Sequence, residues 1–565
     1  MTFRVRAAAA LAAALFSTAA LAGPDYSPSK RQQYPSPNLN RADADSLVLR
    51  GPNSAGEIPN MTVGGTPLST LLANPAQIDG AGNVTLGPLV LGKRQAGKFT
   101  MTPDVVTGDG SAMGTVGAGP VARTLAARAR DAVYLADYIP LAEQPAIAAG
   151  TSTYDVTQWI AKVMADGYAE AILTPGLYNV CGHIAPRSNF HLRGVDRATV
   201  TLKQCAGSNG AAMIEGPGGT VSGGAVTSGW LDNFTVSDLT VDVNWIDTGL
   251  RFRDARDLRI ARVDFKRCQY WCLVVGSNPA LDTTAAITSE RIRIEDVTAD
   301  GAALTYGQVL VYNARDVAVT RSIFKNGRSG AIGIEIWQNV YGFSCDHCTF
   351  GNLTIGAYYS ESSRDIRFLN STFVGNGGGL QGSQSSDHGN FGSLFAQNLI
   401  VDGSLFEGND VAQSIGAING AKISNTTYRA NKNALKFYGG SVVGPKTLAS
   451  NVTLSAVDFV NNNIENNLFG LHAAMIFTEM GGALNLTLRD VNFYDTRTGS
   501  ETQQCAMAFF GGFNYANIQI FGGNLNTYNN CPTFNLQEGS TVSNVHVWGG
   551  MNRRTADTPA AVTVH

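Results

Sequence analysis

A carboxylate set among aromatic side chains offers the clearest chemistry in this sequence. In Ile334-Glu335-Ile336-Trp337 the strand period of two puts the isoleucines on one face and Glu335 with Trp337 on the other. Leu310 and Tyr312 hold the matching places in the preceding segment, Tyr358 and Ser360 in the following one. Aromatic faces beside carboxylates suit sugar rings, which present apolar C–H faces and many hydroxyls. Glycosidic cleavage needs two carboxyl groups, one acid and one base or nucleophile. Glu335 is the first catalytic candidate, and Glu361 and Asp387 are rival partners for it. Tyr312, Trp337 and Tyr358 are the substrate-binding candidates, together with His388 in Ser386-Asp-His-Gly389. His388 could orient a base, contact substrate or simply sit in a solvated loop. The plain alternative for Glu335 is a strand carboxylate facing water, and the exposed rings also suit a subunit interface.

Those residues need a scaffold that repeats. Two apolar residues two apart, with a third seven positions after the first, recur from Phe234 onward. The phrase begins at Leu258, Ile292, Val317, Phe343, Ile366, Leu399, Ala421, Val452, Leu486 and Ile518, at intervals of 22 to 34 residues. A fixed phrase with variable additions is the mark of a solenoid. Its third position is apolar throughout: Val236, Ile260, Ile294, Val319, Cys345, Phe368, Val401, Ile423, Leu454, Leu488 and Ile520. An aromatic column follows at Phe265, Phe324, Phe350, Phe373, Phe406, Tyr428, Phe459 and Phe493. Asn comes two or three residues later, at Asn326, Asn352, Asn376, Asn409, Asn431 and Asn462, where left-handed backbone would turn a corner. Parallel strands in successive coils, joined by right-handed crossovers, give an all-β, right-handed parallel β-helix of about 12 coils. Long additions at 276–289 and 382–394 leave the same corner and would wall a groove around Glu335.

The chain has 565 residues, 63 of them Gly, with 15% charged residues and a formal net charge of −3. With 41 basic residues against 44 acidic and no basic run, nucleic acid is not an expected partner. The opening Met1-Thr-Phe-Arg-Val-Arg6, the apolar Ala7–Ala19 and the small residues Ala20-Leu-Ala22 read as a signal peptide over 1–22, or alternatively as an Ala-rich anchor. No membrane span is expected once that segment is removed. Residues 23–130, rich in Gly, Pro and Ala, read as a small adaptor or attachment region, and 131–565 as the β-helix domain. Thr153 is a candidate cap for a helix over 153–164 that would cover the first coil.

Eight Cys in an exported chain make disulfides plausible. Cys181 with Cys205, and Cys505 with Cys531, lie about one coil apart and are the disulfide candidates. Cys345-Asp-His-Cys348 holds a single thiol pair in an inward column, which reads as packed thiols or a local disulfide. No metal site and no cofactor motif is expected.

Asp155-x-Thr157-x-x-Ile160 through Thr174-Pro-Gly-Leu-Tyr178 resembles the opening of the pectate-lyase-like β-helix superfamily. Gly108-Asp-Gly-Ser through Arg128, and Val133–Tyr138, look like the junction leading into bacteriophage and prophage tailspike β-helices. The resemblance spans roughly 105–550. It implies a polysaccharide partner, a homotrimer, and residence outside the cell or on a virion tail. Two departures stand: 139–150 replaces the usual Gly-Asp-Gly segment, and a secretory leader is foreign to a virion component. The superfamily's pectin-hydrolase cluster, Asn-x-Asp with Asp-Asp, is absent, as is the dense Asp set of calcium-dependent lyases. The expectation is a secreted or virion-associated protein that hydrolyses a bacterial surface or extracellular polysaccharide. A polysaccharide lyase is the second enzymatic choice, and a non-catalytic adhesin or tail structural protein the competing class.

Overall fold

The computed structural model describes residues 131–565, with breaks at 209–211, 217, 219, 223–224, 277–287, 302–305, 328–329, 361, 383–395, 417, 439–449, 463–472, 479–481, 498–504, 525–533, 538 and 549–561, and seven short strands between residues 62 and 99. The signal segment 1–22 and most of 23–130 lie outside the described residues. The chain divides into two compact units, 1–131 and 132–565. The first contains short antiparallel pairings such as Val84–Leu86 with Leu89–Leu91.

The second unit is a right-handed parallel β-helix. Each turn of the repeated phrase supplies two strands, such as Ser289–Glu295 and Thr298–Asp300, which pair in parallel with their counterparts one coil on. A third strand per coil forms a separate twelve-stranded parallel sheet running from Ile214–Glu215 to Phe534–Leu536. Among the described residues, no helix is long and apolar enough to cross a membrane.

The columns stack as the spacing requires. Ile260 pairs with Ile294, Ile294 with Val319, Val319 with Cys345, Cys345 with Phe368, and Phe368 with Val401. All six are fully buried. Because the strand period is two, a slip of one residue would turn this whole column to solvent, so burial fixes the register. The aromatic column is tighter still. Centroids from Phe350 through Phe373, Phe406, Tyr428, Phe459 and Phe493 are 4.7, 4.5, 4.9, 4.9 and 4.8 Å apart, with planes within 11° of parallel. That repeat is the interstrand spacing itself, so each ring is held at stacking distance by its own backbone.

The Asn residues expected at corners divide into two groups. Asn326 and Asn352 do turn left-handed corners, at φ 53° and 52°. Asn376, Asn409, Asn431 and Asn462, one residue further from the ring, are buried and form a continuous amide ladder instead. Nδ2 of Asn376 donates to Oδ1 of Asn409 at 3.0 Å; Asn409 donates to Asn431, and Asn431 to Asn462, each at 2.9 Å. The same Nδ2 atoms donate to the carbonyls of Phe350, Phe373 and Phe406, joining the ladder to the aromatic column. Buried amides are tolerated here because their donors and acceptors are matched coil to coil.

At the amino-terminal end, the helix α1 (Thr157–Ala165) buries Ile160, Val163 and Met164 in the same core as strands Glu170–Leu173 and Gly176–Val180. Thr153 is not its cap. Asp155 Oδ1 accepts from the backbone N–H of Thr157 at 2.9 Å and of Cys181 at 3.1 Å, tying the helix start to the first coils. These bonds hold the Asp155 carboxyl below its ordinary range against the opposing effect of burial. Cys181 and Cys205 are disulfide-bonded with Cα atoms 4.7 Å apart, as their one-coil spacing suggests. Cys268–Cys272 and Cys345–Cys348 are local disulfides. Cys531 lies outside the described residues, so its pairing with Cys505 is not described.

Candidate functional site

The strands Gly307–Val311, Ile332–Ile336 and Ile355–Tyr359 are consecutive members of the twelve-stranded sheet. Ile334 and Ile336 are fully buried in the core, so alternation sends Glu335 to the outward face. Register places Leu310 directly before it and Tyr358 directly after it, one coil away on each side. Despite its outward direction, Glu335 is only 8% exposed. No hydrogen bond or ion pair from the described residues reaches its carboxyl. Burial alone pushes its pKa up to about 7, because the charged form has lost water without gaining a partner. A carboxylic acid that keeps its proton near neutrality can donate it.

Trp337 and Tyr358 stand beside this carboxyl, both half-buried, with ring centroids 6.0 Å apart and planes 34° apart. Trp337 follows directly on the strand that carries Glu335, while Tyr358 belongs to the next coil. Tyr312, also just past its strand, is only 6% exposed, and burial pushes its phenol up to about 12. Ser360, expected on the groove floor, is buried and donates its hydroxyl to the backbone carbonyl of Trp337. It is therefore a corner residue that fixes the turn beneath the indole.

Glu361, Asp387 and His388 lie outside the described residues, as do most of the two long additions. Among the described residues, the outward column through Glu335 reads Glu215, Arg251, Val274, Leu310, Glu335, Tyr358, Gln381 and Ser414. Its other carboxylate, Glu215, is four strands away, about 19 Å at the usual strand spacing. That exceeds the separation of either glycosidase arrangement. Glu215 is also occupied by Arg253 at 2.7 Å and Arg251 at 3.4 Å.

A second group of rings on this face went unread in the sequence. Trp271 opens the strand Trp271–Val275, and Tyr270 and Tyr306 lie beside it. Tyr306 and Trp271 have planes within 8° and centroids 6.2 Å apart; Tyr270 is 5.6 Å from Tyr306. Tyr306 is 53% exposed and Tyr270 38%. The only signal in the sequence was Tyr270-Trp271 itself, set between Cys268 and Cys272.

No family model matches this sequence, and no curated protein matches it. Solved structures do. The bacteriophage phi29 gene product 12 N-terminal fragment aligns with a TM-score of 0.53 at 13% identity, over 73% of this chain and 72% of that one. The pre-mature bacteriophage phi29 gene product 12 aligns at 0.51 and 14% identity, over 76% of this chain and 57% of that longer one. A tailspike protein mutant of E. coli bacteriophage HK620, in complex with a pentasaccharide, aligns at 0.48 and 13% identity over 79% and 80% of the two chains. What is shared at these identities is the fold, a parallel β-helix.

Proposed function

We propose that this protein binds a polysaccharide along the outward face of the twelve-stranded sheet and cleaves it by hydrolysis, with Glu335 as proton donor. The observation that carries the reading is a buried carboxyl, with no hydrogen-bonding partner among the described residues, beside the Trp337–Tyr358 pair. An acid poised in this way protonates a leaving glycosidic oxygen, while the rings hold a sugar face. Glu361 and Asp387 are the candidates for the base or nucleophile, and His388 for orienting it. A homotrimer outside the cell or on a virion tail remains part of this reading.

One observation favours attachment without cleavage. The described residues next to Glu335 in its column are Leu310 and Tyr358, followed by Val274 and Gln381, none of them a carboxylate. Single Glu335→Gln, Glu361→Gln and Asp387→Asn variants separate the two readings. They are screened on capsular and exopolysaccharides, with reducing-end release and absorbance of unsaturated products as readouts. A hydrolase loses cleavage in Glu335→Gln by about 10²–10⁴-fold while it still binds. Unsaturated products would replace hydrolysis with elimination. Binding without any depolymerisation by the natural chain would leave the adhesin.

A further inference from the structure

The outward face of the twelve-stranded sheet has a notch. Trp271 is in register with Gly307, which is in register with Ile332 and then Ile355, a column running beside the one that holds Glu335. A Cβ added at Gly307 would stand 2.3 Å from Cζ3 and 2.9 Å from Cη2 of Trp271, and 2.7 Å from the backbone carbonyl oxygen of Ile332. The indole therefore fills the place where the next coil's outward side chain would be. It lies along the sheet over bare backbone. Tyr306, the residue before Gly307, sets its ring nearly parallel to the indole, and Tyr270 closes the far side. Core packing does not account for the arrangement, since Tyr306 and Tyr270 are exposed and the indole is only half-buried. A glycine that lets a large ring lie flat, with further rings beside it, makes a shelf.

We propose that Trp271, Tyr306 and Tyr270 form a second sugar-stacking station in the groove of Glu335, so that the occupant is a polymer engaging both stations at once. This rests on the reading of the Glu335 face as a polysaccharide groove. Trp271 and Glu335 are two strands and three residues apart, roughly 14 Å between Cα positions at standard spacings, so no single ring touches both. The chain that fits runs along the helix axis and turns an apolar ring face toward the sheet over Trp271. A sugar is favoured over a protein partner because the shelf is continuous, across Ile332 and Ile355, with the groove of the Glu335 station. Cleavage at Glu335 with the shelf occupied falls inside a chain and not at its end.

The test is affinity electrophoresis of the full chain in gels cast with alginate, hyaluronan, dextran or xanthan, the last being branched and acidic. The variants are Trp271→Ala, Tyr306→Ala and Tyr494→Ala, with folding checked by far-ultraviolet circular dichroism. Tyr306 is exposed enough that its loss should not disturb the fold. In the gel that retards the natural chain, Tyr494→Ala, which removes an exposed ring on a strand outside the twelve-stranded sheet, should be retarded equally. Trp271→Ala and Tyr306→Ala should bind about tenfold more weakly, the scale of one lost aromatic contact. Full retardation of both Trp271→Ala and Tyr306→Ala would overturn the shelf and leave the Glu335 groove standing. If none of the gels retards the natural chain, the groove reading and the shelf fall together.

Discussion

Replacing Glu335 by Gln should change how stability depends on pH, and the structure sets the size of the effect. Burial raises the Glu335 pKa from an ordinary 4.5 to about 7. At 1.36 kcal/mol per pH unit, that rise corresponds to about 3 kcal/mol. Between those two values the folded chain keeps a proton that the unfolded chain has released. The contribution is therefore complete below pH 4.5 and is lost as pH climbs through 7. The amide of Glu335→Gln is nearly the same size and does not titrate. Urea unfolding of the natural chain and the variant, at pH 4.5 and pH 8, isolates the carboxyl, because every other titrating group is common to both. The stability difference between them should shift by about 3 kcal/mol in favour of the variant at the higher pH. A difference that stays constant across that range would show that the carboxyl is solvated in the folded chain. The case for Glu335 as a proton donor would then fail, whatever the activity assays returned.

Further substitutions test the scaffold. Asn409→Ala breaks the buried ladder, taking their Asn409 partner from the Phe373 carbonyl, the Asn376 backbone N–H and one N–H of the Asn376 side chain; it should cost about 3–5 kcal/mol in urea unfolding. Asn409→Asp keeps the acceptor but buries a charge, so it should be worse at pH 8 than at pH 4. Phe406→Ala opens a hole between Phe373 and Tyr428, with an expected loss of about 3–5 kcal/mol, while an exposed ring such as Tyr494→Ala should stay within about 0.5 kcal/mol. Cys181→Ser with Cys205→Ser frees a 24-residue loop worth about 3 kcal/mol by chain entropy; hydrogen exchange should rise first around α1 and the first strands.

The fold was legible because stacked coils make neighbours of residues that occupy equivalent places in each repeat. Ile294, Val319, Cys345 and Phe368 could be aligned by eye, and the structure puts them in register. The Asn positions were only half legible. Asn352 and Asn376 differ by one place relative to their rings, and that offset separates an exposed left-handed corner from a buried amide. No propensity distinguishes the two uses, since only the coils before and after supply the matching carbonyls. Alternation was enough to send Glu335 outward. Its desolvation was not readable, because the strand period says which face a side chain takes and not what covers that face. Trp271 was missed for a related reason: Gly307 makes its shelf, and the two are linked only by strand register.

The buried amide ladder also has a direction. Each side-chain amide from Asn376 to Asn431 donates one N–H to the amide oxygen of the next coil, and every Oδ1 from Asn409 to Asn462 receives from the coil behind it. Such a column is polar, like a row of magnets laid head to tail, so a duplicated coil inserted within it meets a donor on one side and an acceptor on the other. Growth by tandem duplication is thus chemically templated along this corner. A coil that arrives without its asparagine breaks the current of hydrogen bonds in both directions.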